Sequence, residues 1–213
     1  MKKISLFTLG IFLFLGFSCK QTKKDGKKEQ EDPTELVADS FTLIKDSTKV
    51  SFTAYKTTAK VAVGGQFRTI NISNTKAGST PMEALDGTEF GIPVSSLFTN
   101  DATGTRDPKL LEFFFGAMQD TEIISGVFKT VTDNTCSIDV TMNGKTSNIP
   151  LEYTINSETS ITFNGRLNLE DWNALEAVTS INNACKELHT GIDGVSKTWS
   201  DVAVQAQVLL TKN

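Results

Sequence analysis

Strict alternation of apolar and polar residues in the second half of the chain is the feature that most constrains its fold. A period of two places alternate side chains on opposite faces of a β-strand, so each alternating run predicts a strand with one buried and one solvent-facing side. Asn143-Gly144 between the first two runs predicts a type I′ turn and hence antiparallel strands. The apolar members of the four runs are Cys136, Ile138, Val140 and Met142; Ile149, Leu151, Tyr153 and Ile155; Ile161, Phe163, Leu167 and Leu169; and Val202, Val204, Ala206, Val208 and Leu210.

The first half of the chain has the same β character with a less regular pattern. Residues 50–54 alternate in the same way, and further strands are predicted over residues 90–94 and 123–131. Within residues 61–72 the apolar positions change phase. This change predicts a bulge or a barrel bend near Gly64-Gly65.

Two segments depart from the β pattern. Asp107 as N-cap and Pro108 at the first helical position predict a short helix that ends at Gly116. The second segment has Asp171 as its predicted cap and apolar residues at helical spacing, namely Trp172, Leu175, Val178, Ile181, Cys185 and Leu188. The chain is therefore predicted to be all-β, with eight or nine antiparallel strands and two short helices. Such a sheet closes into a barrel or stacks as a sandwich, and we favour the barrel.

The first 18 residues have the layout of a secretory signal peptide. Lys2 and Lys3 precede an apolar stretch over residues 4–15, which is shorter than a bilayer crossing requires. Residues 15–18 with Cys19 resemble the lipobox of bacterial lipoproteins, in which the cysteine sulfur receives a diacylglycerol and becomes the new N-terminus. The alternative is a plain signal peptide cut nearby, which leaves a periplasmic protein without an anchor.

Residues 19–38 are expected to form a disordered tether between acylated Cys19 and a single domain at residues 39–213. From Lys20 to the residue before Leu36 no apolar side chain occurs, so nothing there offsets the entropy of ordering the chain. The lipoprotein interpretation places the protein in the cell envelope, in the periplasm, and Lys20 is typical of sorting to the outer membrane.

The charge balance of the domain bears on its partners. Beyond Asp32 the chain carries 14 basic and 21 acidic residues, which leaves a net charge of −7. An acidic domain without a basic stripe argues against nucleic acid as a partner.

The cysteines allow two states. If Cys19 carries lipid, Cys136 and Cys185 remain as a pair in an oxidising compartment. A disulfide between them would stabilise the domain by roughly 3–4 kcal/mol. Two buried free thiols fit the sequence equally well.

Few residues are suited to catalysis or to metal binding. His189 is the only histidine, and the chain has no Gly-x-Ser-x-Gly, Cys-x-x-Cys or phosphate-binding loop motif. Cys185 lies four residues before His189, so a thiolate–imidazole pair or a partial metal site is the catalytic alternative. A histidine at a helix end is the ordinary explanation. We therefore expect no enzymatic activity, no metal and no cofactor.

Three consecutive phenylalanines at residues 113–115 end the first predicted helix. One face of so short a helix cannot hold all three rings. At least two faces must therefore be covered, by the core, by the barrel mouth or by a ligand.

Several segments, taken in order, resemble the YceI-like family over residues 39–210. Phe52-Thr53-Ala54-Tyr55-Lys56, followed by Val61 and Gly65-x-Phe67, resembles the opening signature of that family. Its middle segment resembles Ile92-Pro93-Val94-Ser95-Ser96-Leu97-x-Thr99 followed by Arg106-Asp107-x-x-Leu110. Lys197-Thr198-Trp199-x-x-Val202 is similar to the end of its lipoprotein members. The helical segment at residues 172–188 and the two late cysteines depart from the family pattern.

The resemblance implies an eight-stranded antiparallel β-barrel of lipocalin-like shape that binds a polyisoprenoid chain in its lumen. We therefore expect a non-catalytic protein that carries or sequesters an isoprenoid lipid, either a polyisoprenoid or a quinone. Such a barrel has room for packed side chains or for one slender ligand. The alternative is a structural or protein-binding module with a filled core, and the oligomeric state is left open. The predicted lumen lining is Phe52, Phe67, Phe90, Ile92, Phe114, Val140, Leu151, Tyr153, Phe163 and Leu167.

Overall fold

A computed structural model describes residues 39–132 and 135–213 of the chain. Residues 1–38, with the predicted signal peptide, Cys19 and the tether, lie outside the described residues, so the domain boundaries there stay predictions. The described residues form eleven strands: β1 Phe41–Leu43, β2 Lys49–Lys56, β3 Val61–Phe67, β4 Asn71–Ser73, β5 Glu89–Pro93, β6 Leu97–Phe98, β7 Ile123–Thr132, β8 Thr135–Met142, β9 Lys145–Ser157, β10 Ser160–Asn168 and β11 Asp201–Lys212.

All strand pairs in this sheet are antiparallel. Ten strands follow the order β4-β5-β7-β8-β9-β10-β11-β2-β3-β6, and β1 pairs with the end of β11. Residues 68–70 join β3 to β4 and residues 94–96 join β5 to β6, so the β3–β6 and β4–β5 pairs are successive sections of one antiparallel ribbon. Between the two sections, the Arg68 N–H donates to the Ser96 carbonyl at 2.9 Å. The sheet therefore runs round on itself as a barrel.

The fold class is confirmed, but the predicted number of strands is wrong. Eleven strands form within the described residues rather than eight. Bends at residues 68–70 and 94–96 each divide one barrel strand into two, and β1 adds a short strand alongside β11. Of the two alternatives predicted near Gly64-Gly65, the bulge is absent, because β2 and β3 pair there without a register shift, whereas a bend is present a few residues later. The phase change in the sequence comes from the bend after Phe67.

The Asn143-Gly144 turn is confirmed. Both residues have positive φ angles, 53° and 67°, as a type I′ turn requires, and they connect β8 directly to β9.

The described residues contain more helical segments than the two predicted. The α-helices are α1 Pro81–Leu85, α2 Arg106–Lys109, α3 Leu175–Ala184 and α4 Lys186–His189. A π-helical turn, Leu110–Phe114, continues α2, and a 3₁₀ turn, Leu169–Trp172, precedes α3. No helix among the described residues combines the length and the apolar character needed to cross a bilayer.

Both predicted helices differ in detail from the structure. The predicted cap Asp107 lies inside α2, and its carboxylate accepts hydrogen bonds from the N–H and hydroxyl of Thr99. The predicted helix over residues 172–188 is interrupted, because Asn173 adopts a left-handed conformation and Cys185 separates α3 from α4.

The buried residues form two separate clusters. One cluster, which includes Trp172, Ile149 and Phe115, lies where α3 and the α2 segment cover one end of the barrel. We call this the helical end. The other cluster includes Leu43, Leu85 and Ile161 and lies where β1 and α1 cover the opposite end, which we call the α1 end.

Candidate ligand-binding cavity

A cavity of about 680 Å³ occupies the interior of the barrel. Its wall is formed by inward-facing residues of most of the barrel strands, and most of the side chains are apolar. This volume lies within the range of protein sites that hold small ligands.

The inward-facing side chains show that this space is not filled by the protein itself. Phe52, Phe67 and Phe90 point into the barrel, yet each keeps part of its surface accessible. None of the eight residues of β2 is fully buried. Protein cores are normally packed to the density of organic crystals, so half-buried phenylalanines on an inner barrel face indicate a genuine void.

Glycines on neighbouring strands allow the aromatic rings to lie against the wall. Phe52 lies opposite Gly65, and Phe90 opposite Gly126, in the strand register. A Cβ atom on Gly65 would lie 2.3 Å from Cζ of Phe52, and one on Gly126 would lie 2.4 Å from Cζ of Phe90. Each ring therefore occupies the place of a missing side chain on the next strand, and the barrel axis stays open.

The α1 end of the cavity is closed. Leu43, Leu85 and Phe128 line it there, and all three are buried. Phe128 and Phe163 pack edge to face, with their ring centroids 5.1 Å apart. A ligand cannot enter past this packed layer.

The helical end contains the mouth. Thr103, Thr105 and Leu188 line the cavity and are also exposed to solvent, which requires an opening between them. Phe114 from the π-helical turn and Ile181 from α3 reach the cavity from the same end. The helical segments therefore frame the entrance without sealing it.

Cationic groups line the mouth. Arg106 pairs with Asp101 at 3.7 Å, so its charge is balanced. Lys56 and Lys109 also line the cavity, and among the described residues neither forms an ion pair. The entrance of an otherwise apolar cavity thus carries two ammonium groups without a counter-ion.

His189 also lines the cavity, close enough to both lysines to be affected by their charges. Burial is the largest cause that lowers the pKa of His189, and the positive charges of Lys56 and Lys109 lower it further. Its Nδ1 shares a hydrogen bond of 2.7 Å with the Thr198 hydroxyl, so a neutral imidazole suits this site.

Nine of the ten residues predicted to line the lumen do line this cavity, and their contact with a lipid stays a prediction. The exception is Tyr153, which lies outside the lining. It pairs with Phe163 across the β9–β10 ladder, with ring centroids 6.1 Å apart, and packs against the cluster at the α1 end. Its alternating position gave the correct face of the strand, but the side chain packs into the buried cluster instead of bordering the void.

Several cavity residues were missed by sequence reasoning. The apolar alternation gives no signal for the polar residues Lys56, Lys109 and Thr198. Lys56 ends β2, Lys109 ends α2, and Thr198 lies before β11. By contrast, Val202 and Val204 belong to a run recognised in the sequence, and extending the lining to that run would have found them.

Both cysteines are buried free thiols, so the disulfide alternative is not realised. Cys136 belongs to the cluster at the α1 end, whereas Cys185 lines the cavity next to the helices. Burial raises the pKa of the Cys136 thiol, which disfavours the reactive thiolate. Among the described residues, no group of three or more His, Cys, Asp and Glu side chains is arranged to hold a metal ion.

Comparison with known proteins identifies relatives of this fold. The YceI-like domain family matches residues 41–210. A polyisoprenoid-binding domain from Saccharophagus degradans has a TM-score of 0.55 and 13% sequence identity, over 83% of this chain and 99% of that one. At this identity the likeness shows a shared fold.

Two further solved structures are similar. BcnA from Burkholderia cenocepacia has a TM-score of 0.49 and 16% identity, over 77% of this chain and 96% of that one. A YceI protein from Campylobacter jejuni has a TM-score of 0.44 and 15% identity, over 71% of this chain and 84% of that one. No curated protein matches the chain.

Proposed function

Because the chain belongs to the YceI-like domain family, we propose that its barrel binds the hydrocarbon chain of an isoprenoid lipid, either a polyisoprenoid or a quinone. The observation that carries this proposal is the cavity of about 680 Å³, which is lined by apolar side chains and open at one end. The solved polyisoprenoid-binding domain with the same fold supports it. On this proposal the protein carries or sequesters the lipid and does not chemically transform it.

The hydrophobic effect supplies enough free energy for such binding. Each methylene moved from water into an apolar site contributes roughly 0.8 kcal/mol. A few isoprene units therefore outweigh the cost of ordering the ligand. A hydrocarbon chain offers no polar groups. Its recognition therefore requires only an apolar cavity of suitable width, such as the one lined by Phe52, Phe67 and Phe90.

The mouth suits the polar head of the lipid. Lys56 and Lys109 lack counter-ions there, so a head with negative charge or with carbonyl acceptors would gain charge-assisted hydrogen bonds. A phosphate head and a quinone ring both meet this requirement. The tail would then point toward Phe128 at the closed end.

We also propose that the protein is an exported lipoprotein of the cell envelope, anchored to the outer membrane. The support is the sequence pattern at residues 1–19, where Cys19 is the acylation site. A tethered carrier close to a membrane would stay near both the source and the destination of a lipid. Metabolic labelling with a radioactive fatty acid tests this, and loss of label in Cys19→Ser is the expected result.

Lipid extraction tests the proposed binding function. The full chain is purified without added lipid, extracted with organic solvent and analysed by mass spectrometry. Isoprenoid lipid is expected in the extract, and stripped protein should take up an added isoprenoid. Repeated absence of both results would contradict the proposal and favour a structural or protein-binding module.

Two alanines on β11 provide a matched pair of variants for the same assay. Ala206 faces the cavity, whereas Ala203 faces the outside of the barrel. Ala206→Phe places a ring in the lumen and should reduce lipid loading by at least tenfold, since a filled lumen excludes the chain. Ala203→Phe adds the same ring outside and should load normally. Equal loading by the two variants would show that the lipid lies elsewhere.

A further inference from the structure

An exposed hairpin stands beside the cavity mouth. Residues 189–197 form this hairpin, which is held by hydrogen bonds from the Gly191 N–H to the Val195 carbonyl at 2.9 Å and from the Lys197 N–H to the His189 carbonyl at 3.1 Å. At its tip, Ile192 is fully exposed to solvent. This side chain gains no burial in the isolated molecule and is therefore available to an apolar partner.

The tip is held against the barrel rather than swinging free. The Asp193 carboxylate accepts hydrogen bonds from the Thr58 hydroxyl at 2.6 Å and from the Val195 N–H at 3.1 Å. These bonds turn the one acidic group of the tip back toward the β2–β3 turn. They also fix Ile192 at a constant position relative to the mouth.

Other apolar side chains surround the mouth at the same end. Leu188 lines the cavity and is 59% exposed, and Val195 is 49% exposed. Val61 is 47% exposed and lies opposite Lys56 at the start of β3, two residues before the cavity residue Val63. Together with Ile192 these residues form an apolar rim, which we call the mouth rim, around one side of the entrance.

Lysines flank the mouth rim. Lys56, Lys186 and Lys197 lie there, and in the described part of the chain none of them forms an ion pair. Lys60 is neutralised by Asp201 at 2.8 Å. Glu187 on α4 and Asp193 at the tip are the carboxylates nearby, so three lysines stand against two acidic groups and positive charge prevails at this rim, although the domain as a whole is acidic.

Trp199 completes the arrangement. Its ring lies beneath the ammonium groups of Lys60 and Lys197, at 4.3 and 4.2 Å from the ring centroid, and its Nε1 donates to the Thr57 carbonyl at 2.7 Å. An aromatic ring with a polar edge, next to lysines and exposed aliphatic side chains, is typical of groups that settle at a membrane–water interface.

We propose that the mouth rim docks on the surface of an anionic phospholipid bilayer, with Ile192 inserted among the lipids and the lysines on the headgroups. This inference rests on the proposed lipid-binding function, because an isoprenoid that is insoluble in water must pass directly between a bilayer and the cavity. Burial of the apolar tip and attraction between lysines and anionic headgroups act together at such a surface. Docking there aligns the entrance with the bilayer.

A fluorophore attached at the tip tests the docking. The full chain carries Cys19→Ser, Cys185→Ala and Ile192→Cys, and it is labelled with an environment-sensitive dye. Cys185 is replaced because its thiol lines the open cavity, whereas Cys136 is buried in the cluster at the α1 end and is shielded from labelling. The matched control is Ile155→Cys, since Ile155 is 64% exposed near the end of β9 that lies away from the mouth. With phosphatidylcholine vesicles that contain phosphatidylglycerol, the dye at 192 should shift to the blue and the dye at 155 should not.

Charge variants give a second readout in the same system. Lys186→Gln combined with Lys197→Gln should weaken vesicle binding by the 192-labelled chain roughly 30-fold. Lys45→Gln combined with Lys49→Gln changes the same charge at the other end of the barrel and should have little effect.

Three results would overturn the proposal: no shift at 192, equal shifts at 192 and 155, or a shift at 192 that needs no vesicles and rises with protein concentration. The last of these would indicate self-association instead. Lipid extraction from the same preparations separates the two proposals. A protein that retains bound isoprenoid but does not dock on vesicles would contradict the docking proposal and leave the lipid-binding proposal intact.

Discussion

At the scale of single residues, the surroundings of His189 determine its protonation state. Its imidazole lines the cavity, is affected by the charges of Lys56 and Lys109, and shares a hydrogen bond with the Thr198 hydroxyl. Both burial and the neighbouring positive charges disfavour the imidazolium, so the folded protein holds a neutral ring. No catalytic partner is needed to explain this histidine.

Acidification should destabilise the folded chain through His189. Its pKa is lowered on folding from an ordinary value of 6.5, so the unfolded chain binds this proton first. The stabilising effect of the neutral ring is complete above the unfolded pKa and is lost as the pH falls through the folded pKa. The melting temperature should therefore drop by a few degrees between about pH 7.5 and 5.5, as measured by circular dichroism.

His189→Gln is the control for this pH dependence. Glutamine can keep a hydrogen bond to Thr198 but does not titrate, and the chain has no second histidine. The variant should show a flat melting temperature over the same range. A slope identical to that of the natural chain would assign the effect to other groups.

At the scale of strands, pairing between glycine and a large residue keeps the barrel hollow. The Phe52–Gly65 and Phe90–Gly126 pairs lie in register across adjacent strands. The rings cover the glycines and thereby contribute to the wall rather than to a filled centre. Cross-strand register, and not residue size alone, thus determines the width of the lumen.

Gly65→Ala should narrow the cavity while the fold is retained. The new methyl group would clash with the ring of Phe52, which is a movable side chain, so the ring must swing into the lumen. Isoprenoid loading should fall several-fold, as measured by mass spectrometry of extracted lipid, with little change in melting temperature. Adding Phe52→Leu to Gly65→Ala should restore loading.

Gly64→Ala is the matched control for this prediction. A Cβ there would lie 3.9 Å from the nearest atom, the Phe52 carbonyl oxygen, which is ordinary contact. Its loading should equal that of the natural chain. Normal loading by a folded Gly65→Ala protein would show that Phe52 does not limit the width of the cavity.

At the scale of the whole molecule, the hydrophobic core is divided. One cluster lies under the helices and the other lies beneath α1 and β1, and the cavity lies between them. Stability therefore comes mainly from the two packed ends, whereas the middle of the barrel is free to hold a ligand. This division separates the residues that hold the fold from those that line the site.

Two isoleucine truncations should differ in their cost to stability. Ile161 is 1% exposed at the α1 end, so Ile161→Ala should cost about 2–5 kcal/mol by opening a new cavity. Ile124 already faces the existing cavity, and Ile124→Ala should cost roughly 1–2 kcal/mol because little further packing is lost. Denaturant unfolding of lipid-free protein measures both. Equal costs would indicate that the lumen collapses when it is empty.

Much of the site could be predicted because alternation states which face of a strand each residue occupies. It placed Phe52, Leu151 and Phe163 on the inner face, and all three line the cavity. It failed for Tyr153, since alternation does not show which inward side chains pack into a core cluster and which border the void. The bend after Phe67 was misplaced to Gly64-Gly65 for a similar reason: a phase change reveals that a bend exists, but the pairing partners decide where it falls.

Local patterns in the chain thus determined the strands, the Asn143-Gly144 turn and the inner or outer face of most residues, because these depend on neighbours one or two positions away. Only the tertiary structure decided that the interior is hollow, since a lumen depends on which residues of distant strands come to lie side by side. Phe52 and Gly65 meet across β2 and β3, and Lys56, Lys109 and His189 meet at the mouth from three separate elements. The spacing of residues along the sequence does not encode these long-range contacts, and they give the closed sheet its open interior.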